Sequence, residues 1–451
     1  MGRTGASVTV VIAACVLATT VLPLGCGNDN NNNSGPTPTP VPTSTSGATP
    51  TPLPTSGATP TPTLTPLPSP TVVVITVVQS VATLAGLDVG ASDSGFLVAY
   101  GTYGAAPTAT STSSIYGVRL DGDGEVVDPT PFVISVAQSG GFLDDPSWTA
   151  PAVGFDGASY AVAYAGTGTE GGFPAAAITA VLVDPQASVG VPTDLAETGS
   201  FGMCQTEVGP PPALAGTPAA SFAALWPFMA GCINVPVVDR LDGALATPQG
   251  AALSVSELQG LLPPFDQTPL QTSAASVASS ATTTVAAWRE SASGPDDAVV
   301  ELALLAPGGV ERTQLANGGG GFTRPAIASD GSDYLVVWQA ASNSIRGARF
   351  RPGTGPLDGP DGFLIAQAQL PLAPRVAFGN GRYLVAFFVV GASFSQLRTF
   401  EVSPAGAVTA IETGAGQAAA LGSDAAVAFS NGTFVVPFWE GGALRAVLIR
   451  P

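Results

Sequence analysis

A short apolar block that ends on an aromatic residue occurs seven times in this chain of 451 residues. The copies are FLVAY (96–100), YAVAY (160–164), FAALW (222–226), TVAAW (284–288), YLVVW (334–338), YLVAF (383–387) and FVVPF (434–438). Their first residues are 64, 62, 62, 50, 49 and 51 positions apart. Self-similarity of this kind marks a repeat architecture, in which each unit buries its apolar faces against its neighbours. We therefore predict seven copies of one structural unit.

Two further features accompany each block and predict a β-hairpin. A branched aliphatic residue stands seven residues upstream of the block, or eight in the third copy, and the next residue is always Gly or Ala. The aliphatic residues are Val89, Val153, Leu214, Val277, Ile327, Val376 and Val427. Several copies place a turn pair between the two features, such as Asp330-Gly331 or Asn431-Gly432. Such pairs supply the positive φ that two-residue hairpin loops need.

A third and usually a fourth alternating stretch follow each hairpin, for example SIRGARF (344–350) and FLIAQ (363–367). Four short strands in each repeat are the pattern of a β-propeller blade. The small residue of the first strand also fits, because the innermost strands crowd the central axis. Gly (55 residues), Pro (42 residues) and a charged fraction of only 10% exclude an all-helical fold. We predict an all-β fold, a seven-bladed β-propeller.

The two ends of the repeat region predict how the ring closes. The seventh unit stops after its third strand, and TVVVITVV (71–78) is a strand without a hairpin partner. Pairing this N-terminal strand with the last blade would close the ring and remove an exposed edge. Six or eight blades, or tandem sandwiches, remain alternatives, and Pro437 argues against the prediction because it removes a ladder donor from a second strand.

The repeat resembles the units PxIAxDGxxYLVVW…IxGxRF that occur in many secreted and lipid-anchored propeller proteins of bacteria. Residues 325–338 and 345–350 form the best copy, and the resemblance covers residues 72–451. It implies the fold, but the proteins that share it differ widely in function.

The N-terminal residues predict export and a lipid anchor. Residues 8–24 form an apolar run after a single Arg, which is typical of a signal peptide. The residues Leu22 to Cys26 resemble the lipobox of bacterial lipoproteins: Gly25 and Cys26 match it, whereas Pro23 and Leu24 depart from it. The resemblance implies lipid on Cys26 and a place in the cell envelope, attached to a bacterial membrane and exposed to the periplasm or the cell surface. Ordinary secretion and an uncleaved anchor are the alternatives.

The Asn-rich and Pro/Thr-rich segment that follows lacks the apolar residues needed for a core and predicts an extended tether. The expected organisation is a signal peptide (1–25), a disordered tether (26–71) and the propeller (72–451).

The composition excludes several kinds of chemistry. The chain has no His, all 14 basic residues are Arg, and the net charge is −18. A Ser/His/Asp triad, a His-ligated metal and a Lys Schiff base are therefore excluded, and nucleic-acid binding is disfavoured by charge. We expect no cofactor, no metal and a monomer. The acidic segment Asp121 to Asp128 is expected to be a solvated turn, with a calcium loop as the alternative.

Cys204 and Cys232 are the two thiols of the exported domain, and we expect both in loops of the third unit. An even pair of cysteines in an oxidising compartment predicts a disulfide bond between them.

Candidate ligand residues lie in the long loops that follow the aromatic blocks and precede each first strand, all on one face of the ring. Aromatic side chains beside carboxylates and an Arg are suited to a carbohydrate or peptide. The candidates are Asp144, Asp145, Trp148, Glu170, Arg289, Glu290, Trp439 and Glu440. The alternative is that these loops only tuck aromatic side chains onto the blade ends.

We expect a surface-tethered binding or scaffold module for a glycan or protein ligand, with no identifiable catalytic machinery. A propeller glycoside hydrolase or lyase is one alternative, with Asp144 or Asp145 paired with Glu290 or Glu440 as its carboxylates. A structural envelope lipoprotein without a specific ligand is the other.

Overall fold

The computed structural model describes residues 70–450 with short gaps, and all described residues belong to the unit Pro66–Pro451. The gaps are residues 82–83, 103–111, 139–149, 171–172, 199–203, 209–211, 233–234, 259–270, 273, 292–297, 307–308, 318–322, 342, 369–370, 372–373, 391–394, 414–416 and 419–424. The predicted signal peptide and almost all of the tether lie outside the described residues. No helix in the described part of the chain is long and apolar enough to span a membrane.

The described residues form seven antiparallel sheets, which we number as blades 1–7 along the chain. Blade 1 contains β2 (Leu84–Ser92), β3 (Gly95–Thr102), β4 (Thr112–Asp121) and β5 (Phe132–Gln138). Blade 2 contains β6 (Ala152–Phe155), β7 (Tyr160–Glu170), β8 (Phe173–Val183) and β9 (Thr193–Thr198). Blade 3 contains β10 (Cys204–Val208), β11 (Ala213–Gly216), β12 (Phe222–Cys232), β13 (Val235–Gln249) and β14 (Ala252–Glu257).

The remaining blades follow the same plan, with short extra strands at their edges. Blade 4 contains β15 (Gln271–Thr272), β16 (Ser276–Ser279), β17 (Thr284–Ser291), β18 (Val299–Ala306) and β19 (Gly309–Asn317). Blade 5 contains β20 (Ala326–Ser329), β21 (Tyr334–Ala340), β22 (Ser344–Arg351), β23 (Gly355–Pro356) and β24 (Phe363–Gln367). Blade 6 contains β25 (Arg375–Gly379), β26 (Arg382–Val390), β27 (Ser395–Val402), β28 (Val408–Ile411) and β29 (Gln417–Ala418). Blade 7 contains β30 (Ala428–Ser430), β31 (Thr433–Glu440), β32 (Ala443–Arg450) and β1 (Thr71–Val78).

The seven sheets form a closed ring. The first strands β2, β6, β11, β16, β20, β25 and β30 each contact the first strand of the next blade, and β30 contacts β2. The fold is therefore a seven-bladed β-propeller, as the repeats predict.

The N-terminal strand completes the last blade, which confirms the predicted closure. β1 pairs antiparallel with β32, from Thr71 opposite Arg450 to Val78 opposite Leu444. A hydrogen bond also joins the first strands of blades 7 and 1, because the Ser430 hydroxyl of β30 donates to the Ser92 carbonyl of β2 across 2.6 Å.

The apolar blocks are continuous because each second strand is covered on both faces. Side chains alternate between the faces of a strand. In blade 1, Leu97 and Ala99 pack with Val153 of blade 2, whereas Val98 packs with Leu444 of blade 7. A strand between two neighbouring blades therefore has no polar face, which explains blocks such as FLVAY.

The tyrosines that begin some blocks hydrogen-bond the preceding blade. The Tyr334 hydroxyl donates to the Thr283 carbonyl across 2.7 Å, and the Tyr160 hydroxyl donates to the Gly95 carbonyl across 3.2 Å. Each bond satisfies a buried hydroxyl and fixes the spacing between two adjacent blades.

Pro437 is tolerated because it lies beyond the reach of the first strand. It pairs with Ala446 of β32, whereas β30 pairs only with Thr433–Val435 of β31. The Pro therefore has a strand neighbour on one side only, the kind of position in which a missing donor is accepted.

The acidic segment of blade 1 is held by protein groups. Asp121 Oδ1 accepts the amides of Asp123 and Glu125, while Asp128 forms a 2.6 Å ion pair with Arg119. Among the described residues, no three His, Cys, Asp or Glu side chains gather closely enough to hold a metal ion.

Candidate functional site

A cavity of about 150 Å³ lies on the axis of the ring. The seven aliphatic residues that precede the apolar blocks all line it, and we call them the aliphatic ring. Since each comes from a different blade, a cavity that touches all seven belongs to the central channel.

The innermost strands approach each other closely just past the aliphatic ring. A Cβ on Gly90 would stand 2.5 Å from Val153 Cγ1, and a Cβ on Gly154 would stand 3.2 Å from Leu214 Cγ. Even the Cβ of an Ala would therefore require movement at Gly90 and would be tight at Gly154, which is the physical reason for Gly in these two repeats.

Four polar residues lie together on the other side of the aliphatic ring. Asp88, Ser276 and Arg375 each stand one position before a ring residue, and Arg324 stands three positions before one. First strands begin where second strands end, because each hairpin is antiparallel. The four residues therefore lie toward the loops that join second to third strands. We call these four residues the channel mouth.

Asp88 is fixed by the neighbouring blade. One of its carboxylate oxygens accepts the backbone amide of Val153 across 2.8 Å. Burial raises the pKa of Asp88, although the hydrogen bond from Val153 and the charges of Arg375 and Arg324 act in the opposite direction. Asp88 is partly buried and lines the cavity, and its burial makes its ionised form poorly solvated.

Arg324 and Ser276 form a short chain of hydrogen bonds across blades 4 and 5. Arg324 Nε donates to the Ser276 hydroxyl across 3.0 Å, and that hydroxyl donates to the Pro325 carbonyl across 2.5 Å. Arg375 NH1 donates to the Pro374 carbonyl across 3.3 Å. These bonds hold both guanidinium groups at the rim of the cavity.

The channel mouth combines opposite charges over an apolar floor. Among the described residues, two guanidinium groups and one carboxylate line a cavity whose floor is the aliphatic ring. Such a site can bind and orient a small polar group. The described lining residues provide no nucleophile with an adjacent base, so the arrangement is suited to binding.

No protein-family model matches the chain, and no curated protein matches its sequence. Among solved structures, an ulvan lyase is 11% identical over 82% of this chain and 93% of its own, with a TM-score of 0.47. The fucose-specific lectin from Aleuria aurantia is 11% identical over 82% and 92%, with a TM-score of 0.43. Trypanosoma rangeli sialidase is 10% identical over 85% and 59%, with a TM-score of 0.41. At these values the similarities do not identify a function.

Glu290, which the sequence predicts as a ligand residue, makes contacts within the protein. Its Oε2 accepts a hydrogen bond from the Trp288 indole N–H across 3.1 Å and lies 2.7 Å from Nη2 of Arg312. The guanidinium group of Arg312 also stands over the Trp288 ring. Arg312 also lies 3.6 Å from Glu301. Burial raises the pKa of Glu301, and the charge of Glu290 adds to this effect while Arg312 opposes it.

Arg289, Glu440 and Trp439 also pack within the protein. Arg289 is fully buried, donates to the Gln339 carbonyl across 3.1 Å, and has its pKa lowered to about 10 by burial. Glu440 lies 2.7 Å from Arg445. Trp439 is half-buried against the apolar core between blades 7 and 1. The structure does not bring these residues together.

The other predicted ligand residues are not described in full. Asp144, Asp145 and Trp148 lie outside the described residues. Only the backbone of Glu170 is described, at the tip of a hairpin opposite Phe173.

Cys204 and Cys232 lie in strands, which corrects the prediction that both are in loops. They stand directly opposite each other in the antiparallel pair of β10 and β12. Opposed residues in such a pair have Cα atoms about 4.5–5.5 Å apart, within the range that a disulfide bond spans. Their side chains lie outside the described part of the structure, so the disulfide bond stays a prediction.

Sequence reasoning missed the channel mouth, although the repeat contains a signal for it. The position before the aliphatic residue is Ala in four copies, namely Ala152, Ala213, Ala326 and Ala426. The other three copies carry Asp88, Ser276 and Arg375. A polar residue at an axial position that otherwise takes Ala is the pattern that identifies the site.

Proposed function

We propose that the protein is a binding module of the cell envelope, anchored by lipid on Cys26, whose ligand contacts the face around the channel mouth. The observation that carries this proposal is the gathering of Asp88, Arg324 and Arg375 in one axial cavity. Desolvating charges costs folding free energy, so charged groups assembled in a cavity are typical of ligand sites.

The ion pairs of the described candidate carboxylates favour binding over hydrolysis. Glycoside hydrolysis needs one protonated and one ionised carboxyl group on either side of the scissile bond. Glu290 and Glu440 instead each contact an arginine of their own blade. Neither carboxylate lines the axial cavity.

A glycoside hydrolase is the second candidate, and the observation that favours it is the pair Glu290 and Glu301. Both carboxylates contact Arg312 NH2, and the pKa of Glu301 is raised by burial. A carboxyl group whose pKa burial raises, close to a second carboxyl group, is the arrangement that a general acid requires.

Ligand binding and turnover separate the two candidates. Full-length protein in detergent is applied to an array of glycans, and the bound glycans are then incubated with the protein and assayed for new reducing ends. Binding without new ends supports the module. Turnover that Glu301→Gln abolishes would favour the hydrolase, and neither binding nor turnover would favour a structural envelope protein.

The lipid anchor is tested by labelling. Cells that express the protein are grown with radioactive palmitate, and Cys26→Ser is compared with Cys15→Ser, which changes the other cysteine of the N-terminal segment. We expect label in the wild type and in Cys15→Ser, and none in Cys26→Ser. Label that persists in Cys26→Ser would rule out the proposed anchor.

A further inference from the structure

The N-terminal strand β1 presents a free edge on the outer rim of blade 7. It is the end strand of its sheet, in the order β1, β32, β31 and β30, and no other described strand pairs with it. The backbone groups of β1 that point away from β32 form a row to which a further strand can bond. We call this side of residues 71–76 the β1 edge.

The β1 edge lacks the features that protect edge strands from pairing. Such strands are usually short, carry charges or Pro, or contain a bulge. Between Thr71 and Thr76, β1 has no charged residue and no Pro, and all six residues pair with β32 in regular register.

The outer strands of the other six blades, as far as the structure describes them, each have at least one of these features. Register shifts occur in the pairing of β5, β9, β19 and β24, charged residues occur in β9, β14 and β19, and β28 has only four residues. The β1 edge is therefore an exception within its own fold.

The side chains of β1 are covered only in part. Val73 and Val74 are 38% and 42% exposed, and they lie on opposite faces of the strand. Ile75 packs between blades 7 and 1, and Val72 packs between blades 6 and 7. A strand added to the β1 edge would place its own side chains beside both exposed valines.

The charges beside the β1 edge favour an uncharged partner. Arg445 of β32 lies 2.7 Å from Glu440, and Arg450 donates to the Asp123 carbonyl across 2.5 Å. Both arginines that neighbour the strand thus have partners within the protein. Two copies of a chain with a net charge of −18 repel each other, and repulsion opposes least a contact made through an uncharged strand.

A second copy of β1 fits this edge, whereas the segment that precedes β1 does not. Residues 36–70 contain 12 prolines, none of which can donate a backbone hydrogen bond to a ladder. A second β1 is uncharged and β-branched, and it has a free edge of its own. Pairing of two identical edges covers both of them at once, whereas a different strand would leave its own second edge exposed.

We propose that two copies of the protein pair antiparallel through their β1 edges. The two seventh blades then form one sheet with the strand order β30, β31, β32, β1, β1, β32, β31, β30. The two-fold axis passes near the middle of the six residues, so Val74 lies near Val74 of the partner subunit. This inference goes beyond the proposed function, depends neither on the lipid anchor nor on the channel mouth, and replaces the monomer expected from the sequence.

Sedimentation equilibrium of the full-length protein in density-matched detergent tests the dimer. The wild type is expected to have the mass of two chains. Val74→Lys is expected to weaken the dimer about tenfold or more, because two like charges then face each other across the axis. Val255→Lys changes an exposed valine of the outer strand β14 and is expected to leave the dimer unchanged. A wild type that is monomeric at every concentration, or equal dissociation constants for the two variants, overturns the proposal.

Charge exchange and cross-linking test the pairing directly. Val74→Glu alone is expected to be monomeric, and an equimolar mixture with Val74→Lys is expected to dimerise again because opposite charges then face each other. A mixture that stays monomeric overturns the pairing. If the charged variants do not fold, Val74→Cys is expected to give a cross-linked dimer with a bismaleimide, and Val255→Cys is not. Absent cross-linking of Val74→Cys, or equal cross-linking of both variants, likewise overturns the proposal.

Discussion

Thr71 and Arg450 stand directly opposite each other in one antiparallel ladder, although almost the whole propeller lies between them in sequence. The pairing places Val77 in the core between blades 7 and 1, with Ile75 packed against it. It also covers the edge of β32, whose backbone groups would otherwise be free to pair with another chain.

Deletion of residues 71–78 is therefore expected to open the ring. Each buried aliphatic side chain contributes about 1.5–3 kcal/mol, so the melting temperature should fall markedly. The exposed edge should also promote aggregation, which light scattering detects. A matched deletion of residues 51–58 in the tether is expected to change neither property. Equal melting temperatures for the two deletions would contradict this role of β1.

The pH dependence of stability tests the environment of Asp88. Its folded-state pKa is raised above 3.8, so the folded protein binds more protons than the unfolded chain between 3.8 and the raised value. Stability from this group is fully present below 3.8 and is lost as the pH rises through the raised pKa. Asp88→Asn cannot titrate, and its amide oxygen can still accept the Val153 amide. Urea unfolding of both proteins across the acidic pH range should show that the free energy of unfolding of the variant rises relative to that of the wild type as the pH rises. A difference between the two free energies that does not change with pH would count against a buried Asp88.

The ion pair of Arg119 and Asp128 is expected to stabilise the contact of blades 1 and 2. Asp128 accepts the backbone amide and the guanidinium of Arg119, which also donates to the Pro185 carbonyl of blade 2. Blade 5 repeats the arrangement with Arg349 and Asp358.

Asp128→Ala should therefore cost about 1–3 kcal/mol of unfolding free energy at neutral pH. The hydrogen bond from Arg119 lowers the pKa of Asp128, so its contribution is present above 3.8 and is lost as the pH falls through the lowered pKa. The penalty of the variant should shrink in acid. Asp123→Ala changes an exposed residue of the same turn and is expected to stay within about 0.5 kcal/mol of the wild type. Chemical denaturation of both variants measures the difference, and similar penalties would argue against a specific role of the pair.

The opposed cysteines of blade 3 predict a cross-strand disulfide bond. Cys204 and Cys232 are expected to resist iodoacetamide in the exported protein and to react after reduction and unfolding. The bond closes a loop of 28 residues, 232 minus 204, and is expected to contribute roughly 3 kcal/mol. The reduced protein and the double variant Cys204→Ser/Cys232→Ser should then have the same, lower stability. Labelling of both thiols without reductant would show that the bond does not form.

The fold could be predicted because one physical constraint is repeated seven times. Every second strand is covered on both faces, so residues such as Val98 and Val336 are apolar in every copy. The first strands carry Gly or Ala beside the axis in every copy, and at Gly90 the close approach of Val153 is the steric reason. Periodic constraints of this kind are visible in the sequence.

The candidate site could not be predicted in the same way, because side-chain direction decides it. Arg289 and Glu290 are neighbours at the end of β17, yet they point to opposite faces of the sheet. Arg289 contacts Gln339 of blade 5, and Glu290 contacts Arg312 of its own blade. The sequence predicts both residues on the loop face, but it does not show that each of them contacts a partner within the protein.

The closure of the ring has a consequence for the order of synthesis. β1 leaves the ribosome before every other described strand of the propeller, whereas its partner β32 is made last. Until then β1 has no partner strand, and the final sheet cannot assemble however well the earlier sheets have folded. A chain that ends anywhere before β32 therefore keeps β1 as an unpaired strand, whose backbone groups remain free to pair with another chain.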